Sequence, residues 1–296
     1  MRRGSSPTVR EGAHSTFTPS LTVGLLPPWS RDERYGYNHA LKKLLHKTED
    51  EMTNANDLRP GSQFENDLLE AVMEYSMLKH PFYVAWTEGR LSREVLAEYA
   101  KQYYAHVRAF PTYVSGVHSH CEDVAIRQEL LENLIEEERG AENHPELWLR
   151  FAEGLGVKRE DVKTADLLPA TKDSVSQLQA LTQSDDYREG LAALLAYEAQ
   201  IPEVARTKRE GLDSCYGLTD ERAISFFRVH ESADVLHSRV ELQILQAECQ
   251  TPAQQGRAIA AARASAKALW SFLDGVTAAY LTTSLTDAQL PATAGA

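Results

Sequence analysis

From Phe64 to about Leu281, apolar residues recur at three- and four-residue spacing, and the strict alternation of a half-buried strand is scarce. Leu, Ala and Glu, all good helix formers, dominate the same stretch. Helices of this kind must bury their apolar stripes on one another, so the fold class is all-α, a helical bundle. Seven helices are expected, at roughly 64–87, 93–119, 122–154, 171–183, 186–212, 220–249 and 252–281. Ser92 and Thr219 are read as caps of the second and sixth. Thr251-Pro252 opens the seventh, a cap followed by proline. Pro111 should kink the second helix. Pro145 and Pro202 fall inside the third and fifth, and Gly89, Gly154 and Gly211 close the first, third and fifth. With no internal repeat, residues 63–283 read as one helical domain followed by a small polar tail, 284–296.

Composition excludes several partners. Among 296 residues, 31 Lys and Arg face 43 Asp and Glu, a formal net charge of −12. Phosphates would be repelled, which argues against nucleic acid and against an anionic membrane surface. No apolar run approaches the roughly 18 residues that a membrane-spanning helix needs. Three well-separated cysteines (Cys121, Cys215 and Cys249), with no CxxC, argue against a disulfide framework or a thiolate zinc site. A reducing, cytoplasmic compartment is expected, and a homodimer. Residues 1–62 are a separate stretch, rich in Ser, Thr, Pro and Gly and bearing Arg2, Arg3 and Arg10. It fits a disordered extension, a transit peptide, or sequence upstream of a natural start at Met52.

Chemistry concentrates in three of the helices. In the sixth, His230, Asp234 and His237 stand at i, i+4 and i+7, within roughly 60° of one another on a continuous helix. Two imidazoles and a carboxylate on one face form a metal-ligand array, and Asp234-x-x-His237 has the carboxylate-x-x-histidine spacing of di-iron bundles. A hydrogen-bonded core histidine with a surface partner is the bland alternative. In the third helix, Glu137 and His144 are seven apart, again on one face, inside an acidic run that is otherwise an ordinary solvated one. In the fifth, Glu198 ends the apolar run Leu191–Tyr197. A carboxylate buried there must be paired, protonated or metal-bound. Three histidines and three carboxylates without a thiolate suit two iron or manganese ions. Calcium would not favour three imidazoles, and zinc is not excluded by ligand type.

These residues carry a resemblance. The runs His80-Pro81-Phe82-Tyr83-Val84-Ala85-Trp86, Tyr99-Ala100-Lys101-Gln102-Tyr103-Tyr104, Glu142-Asn143-His144 with Leu147-Trp148, and Tyr197-Glu198-Ala199-Gln200-Ile201-Pro202-Glu203-Val204-Ala205 precede the His230, Asp234, His237 array. Over about 64–249 the chain resembles the haem-oxygenase-like di-metal oxidases. Within them it looks most like the chlamydial death-domain-associating proteins and their bacterial relatives, the self-sacrificing para-aminobenzoate synthases. The resemblance implies a seven-helix haem-oxygenase-like bundle with two metal ions, iron–iron or manganese–iron, held by Glu137, His144, Glu198, His230, Asp234 and His237. It also implies consumption of dioxygen and an external reductant. By the same resemblance Tyr83 matches a tyrosine that is cut out to become the ring of the product, and Lys208 matches the proposed amino donor. Tyr99 and Tyr197 would then stand beside the metals or relay a radical. Without the family, Tyr83 is a packed aromatic and Lys208 part of a basic face. The alternatives are an oxidase acting on an external amine or carboxylic acid, and a non-enzymatic protein-binding bundle. Thiamin-salvage hydrolases of the broader fold use a cysteine nucleophile, but neither Cys121 nor Cys215 sits in a matching motif. A haem oxygenase would use one early histidine, for which His80 is the candidate.

Overall fold

Twelve α-helices and no strand occur among the described residues, 62–281, of this computed structural model. The expectations for residues 1–61 and for the tail from 282 onward lie outside the described residues. In chain order the helices are α1 Gln63–Met73, α2 Pro81–Thr87, α3 Arg93–His120, α4 Val124–Glu138, α5 His144–Gly154 and α6 Arg159–Lys163. They continue as α7 Pro169–Thr182, α8 Tyr187–Glu198, α9 Ile201–Tyr216, α10 Glu221–His230, α11 Ala233–Glu248 and α12 Pro252–Val276. A 3-10 turn, Met77–Lys79, precedes α2, and a π turn, Thr277–Leu281, follows α12.

The helical bundle is as expected; the count of seven is not, because four of the expected long helices are broken. The first already ends at Met73, and after the 3-10 turn Pro81, which has no N–H to offer the Met77 carbonyl, opens a new helix. His80 becomes its cap, accepting from the Phe82 amide at 3.1 Å. The third breaks between α4 and α5, where Gly140 takes φ +84° and Asn143 caps α5 through the Glu146 amide. Pro145 thus opens a helix rather than lying inside one. The fifth divides after Glu198, the residue whose carbonyl Pro202 cannot reach. The sixth divides at Glu231–Ser232 with no proline or glycine nearby; Ser232 turns there at φ −121°, ψ −40°.

Other boundaries shift by less. Asp220, not Thr219, caps α10 through the Ala223 amide. α9 passes Gly211 and ends at Tyr216, with Gly217 left-handed at φ +64°. Gly211 serves instead as a contact point, since a Cβ there would lie 2.8 Å from Trp86 Cδ1. The short α6 was not foreseen. Ser92 caps α3 as read, Thr251 and Gln254 form a full capping box, and α3 continues through Pro111 as one helix.

Position in the bundle follows from how far round each helix is apolar. Every residue from Gly190 to Glu198 is buried, so α8 is the central helix, covered on all sides. α12 packs against it, and the Ser265 hydroxyl donates to the Ala193 carbonyl at 2.8 Å. Trp148 anchors α5 to α3 by donating its indole N–H to the Ala100 carbonyl at 2.8 Å. The C-terminal end of α8 lies beside α11, and there Glu198 meets Asp234 and His237.

Candidate metal centre and phenol cluster

Two groups of convergent side chains lie between these helices. Glu137 ends α4, His144 begins α5 and His230 ends α10; their ligand atoms lie within 4.8 Å of one another. Glu198 ends α8, and Asp234 and His237 stand at i and i+3 on α11, forming a second group equally close. All six residues named from the sequence are therefore brought together, but not in the arrangement expected. Glu137 and His144 come from different helices rather than one face of one. The His230, Asp234, His237 stripe is cut by the break at Ser232, so His230 serves the first group while Asp234 and His237 serve the second.

The donor atoms fit a metal ion better than they fit each other. His144 Nδ1 is 2.7 Å from Glu137 Oε1 yet has no hydrogen-bond partner, as when two donors point at a common third atom. His237 Nδ1 is likewise unpartnered, 3.6 Å from Glu198 Oε1 and 3.8 Å from Asp234 Oδ1, and Glu198 Oε2 is bare. His230 Nδ1 donates to the Phe226 carbonyl at 2.7 Å, which leaves Nε2 as its free face, and the ring stacks on Phe226. Asn133 steadies Glu198 from outside by donating to Oε1 at 2.8 Å. Glu136, 3.3 Å from His237 Nε2, does the same for that imidazole.

Burial sets the protonation of the group. It pushes the Glu137 carboxyl up, despite the opposing pull of His144. Burial pushes Asp234 up further, with repulsion from Glu198 and Glu137 adding to it. Burial also pushes His230 well down, keeping it neutral, helped by His144. Cations placed here would reverse the carboxyl shifts, because each ligand binds in its deprotonated form.

A phenol cluster adjoins the metal-ligand groups. Glu137, His144, Glu198, His230 and Asp234 line one cavity together with Tyr103, Tyr197 and Lys208. Tyr103 and Tyr197 share a hydrogen bond at 2.8 Å, and the Tyr103 ring stacks on Tyr99. Lys208 is 3% exposed. Its Nζ donates to the Tyr99 hydroxyl at 2.7 Å, which in turn shares a 2.8 Å hydrogen bond with Tyr83. Five aromatic rings surround that Nζ, centred 4.7 to 5.9 Å away. No carboxylate pairs with it among the described residues, and burial pushes its pKa well below the usual lysine range. The amine is therefore poised to be neutral and nucleophilic. Lys208 is not part of the basic face that Arg206 and Arg209 form; Arg209 turns outward to Glu231 and Arg206 to Glu203 and Glu210.

Three participants escaped the sequence reading. Tyr103 joins the Tyr197 hydroxyl to the Tyr99 ring, and its signal was the i, i+4 spacing from Tyr99. Asn133 is an unremarked polar residue on α4. Glu241 is 3% exposed and follows His237 by four residues. His80 is not a haem ligand candidate, because one ring nitrogen caps α2 and the other pairs with Asp274 at 3.0 Å.

A helical bundle whose core holds two histidine–carboxylate groups beside a buried phenol cluster defines a class, the redox metalloproteins built on bundles. More narrowly, the chain belongs to the iron-containing redox enzyme family, whose model matches residues 97–270. It is 40% identical over 239 residues to the 4-aminobenzoate synthase of Nitrosomonas europaea, covering 78% of this chain and 97% of that one. It is 38% identical over 209 residues to the 4-aminobenzoate synthase of Chlamydia trachomatis, covering 70% and 90%. A TenA homologue from Pseudomonas syringae pv. tomato shares the fold, with a TM-score of 0.63 at 17% identity over 73% of this chain and 91% of its own. Among the described residues no helix is long and apolar enough to cross a membrane.

Proposed function

We propose that this chain is a 4-aminobenzoate synthase that takes the product's ring from its own Tyr83 and the amino group from Lys208. The observation that carries this is the continuous buried line from Lys208 Nζ through the Tyr99 hydroxyl to the Tyr83 hydroxyl, at 2.7 and 2.8 Å, beside the six convergent ligands. Glu137, His144 and His230 would hold one iron or manganese ion, and Glu198, Asp234 and His237 the other. Reduced from outside, such a pair would supply the oxidising power of dioxygen.

The chain's own residues do the rest. Burial holds Lys208 neutral, so its lone pair is available for carbon–nitrogen bond formation. The Tyr99 hydroxyl bridges that amine and the Tyr83 hydroxyl, so a proton leaving the Tyr83 phenol can pass to Tyr99 as Tyr99 hands its own to the neutral amine. Burial keeps the Tyr83 phenol protonated, with Tyr103 adding to the effect, so its oxidation must be coupled to that proton transfer. Tyr103 and Tyr197 stand between the cavity wall and Tyr99. Phe82 and Trp86, both fully buried, pack against the Tyr83 ring and shield it from water.

The test begins with protein purified without oxygen and loaded with iron(II), or with iron(II) and manganese(II). Dioxygen and a reductant are then admitted, 4-aminobenzoate is measured, and intact mass is recorded before and after. The expected result is at most one product per chain and a mass loss localised to Tyr83. The Tyr83→Phe variant should keep its metals and make no product. Product formation by Tyr83→Phe at the wild-type yield would refute self-sacrifice. Many turnovers on an added amine or carboxylic acid would favour an external substrate instead.

A further inference from the structure

We propose that Glu241 is a further ligand in the Glu198, Asp234, His237 group, making four buried carboxylates at the metal centre rather than three. The inference rests on the two-ion reading above. Asp234, His237 and Glu241 stand at i, i+3 and i+7 of α11, so all three project from one stripe of a single unbroken helix. Glu241 is 3% exposed, and neither carboxylate oxygen has a hydrogen-bond donor. No ion pair reaches it among the described residues. The polar groups that face it are the carboxylates of Glu198 and Asp234, acceptors like itself.

Three carboxyl groups turned toward one another are held together by protons or by a cation, because an ionised carboxylate is very costly to bury alone, and the two-ion reading puts that cation beside them. The charge count agrees. Two divalent ions bring four positive charges. Glu137, Glu198 and Asp234 bring three negative charges and the imidazoles none. Glu241 supplies the fourth, so the loaded centre is neutral among largely buried ligands. Since Glu241 stands on the far side of His237 along α11, it would complete the Glu198-side ion and leave the Glu137, His144, His230 ion unchanged.

The test uses the full chain, metal-free and without oxygen, titrated with manganese(II) alone and followed by calorimetry and by the manganese EPR signal. Wild type is expected to bind two ions. Glu241→Gln, which keeps the shape and loses the charge, should retain one binding step unchanged and weaken the other about 10- to 100-fold, the usual effect of altering a group that supports a metal. Its metal-free form should melt at or above wild type, since a bare carboxylate has been removed, while its metal-loaded form should melt below. Glu241→Asp, which keeps the charge, should recover part of the second step; this arm also decides the matter if Glu241→Gln folds poorly. Wild type binding two ions with both variants indistinguishable from it would overturn this inference alone. Wild type binding fewer than two would overturn the two-ion reading and this inference together.

Discussion

Replacing Lys208 by methionine keeps the length and most of the volume of the side chain and removes its amine. In the folded protein Nζ has one hydrogen bond, to Tyr99 at 2.7 Å, and otherwise aromatic faces. Losing that bond costs about 1 kcal/mol, while burying a polar nitrogen among rings costs about 1–3 kcal/mol, so the variant should be level with wild type or slightly more stable at high pH. The larger effect is in the pH dependence. Burial lowers the Lys208 pKa in the fold, whereas the unfolded chain titrates near the model value of 10.5. As pH falls below that value the unfolded lysine takes up a proton and the folded one does not, so wild type loses stability relative to the variant. The slope is about 1.4 kcal/mol per pH unit until the folded pKa is reached. From about pH 9.5 down toward about pH 7.5 the gap should widen by about 1.4 kcal/mol for each pH unit above the folded pKa, on the order of 3–6 °C in melting temperature per unit for a domain of this size. Metal-free wild type and Lys208→Met are melted by circular dichroism across this range; the other titrating groups are common to both and cancel. A gap that stays flat would mean that Lys208 enters the fold with its proton, which would remove the basis for its role as a nucleophile. Lys208→Met should also make no 4-aminobenzoate while binding its metals normally.

Two further substitutions test the scaffold around the site. Gly211→Ala places a methyl 2.8 Å from Trp86 Cδ1 and 2.9 Å from its indole nitrogen, and should cost roughly 1–3 kcal/mol by overpacking, read as a lower melting temperature with metal stoichiometry unchanged. A neutral result would mean that α2 and α9 have slack at this contact. Asn133→Ala removes the donor to Glu198 Oε1 and should weaken manganese(II) binding at the Glu198 side about 10- to 100-fold in an EPR titration. Unchanged binding in both steps would deny Asn133 a positioning role.

The residues that hold the candidate centre were legible because the chemistry of a metal site restricts them to a few types. Histidines and carboxylates set among Leu, Ala and Phe are conspicuous in a helical pattern, and Glu198 at the end of an apolar run is conspicuous by itself. Two breaks were also written in the sequence, although the periodicity hid them. Pro81 directly follows its capping residue His80, and Pro145 stands two residues after the cap Asn143, each in the first turn of its helix, which is a start signal rather than an interruption. The break at Ser232 had no such signal. It decides which ligand group His230 joins, and at it Glu231 pairs with Arg209 of α9.

While Tyr83, Tyr99, Tyr197 and Lys208 stood out only through the family resemblance, the amino-acid sequence by itself determined that the chain folds as helices carrying six residues of metal-ligating type. That information is local, carried by periodicity and residue type. Only the tertiary structure decided the pairing: Glu137 with His144 across a helix break, Lys208 with Tyr99 across 109 residues, Tyr103 with Tyr197 across 94. It also turned Glu241 and Asn133 toward the centre. Burial and hydrogen-bond partners are properties of how helices pack, and a lysine beside two arginines looks solvated until α9 is seen to turn it inward among five rings. The physical reason is that a side chain's direction is set by its helix, whereas what it meets there is set by all the others.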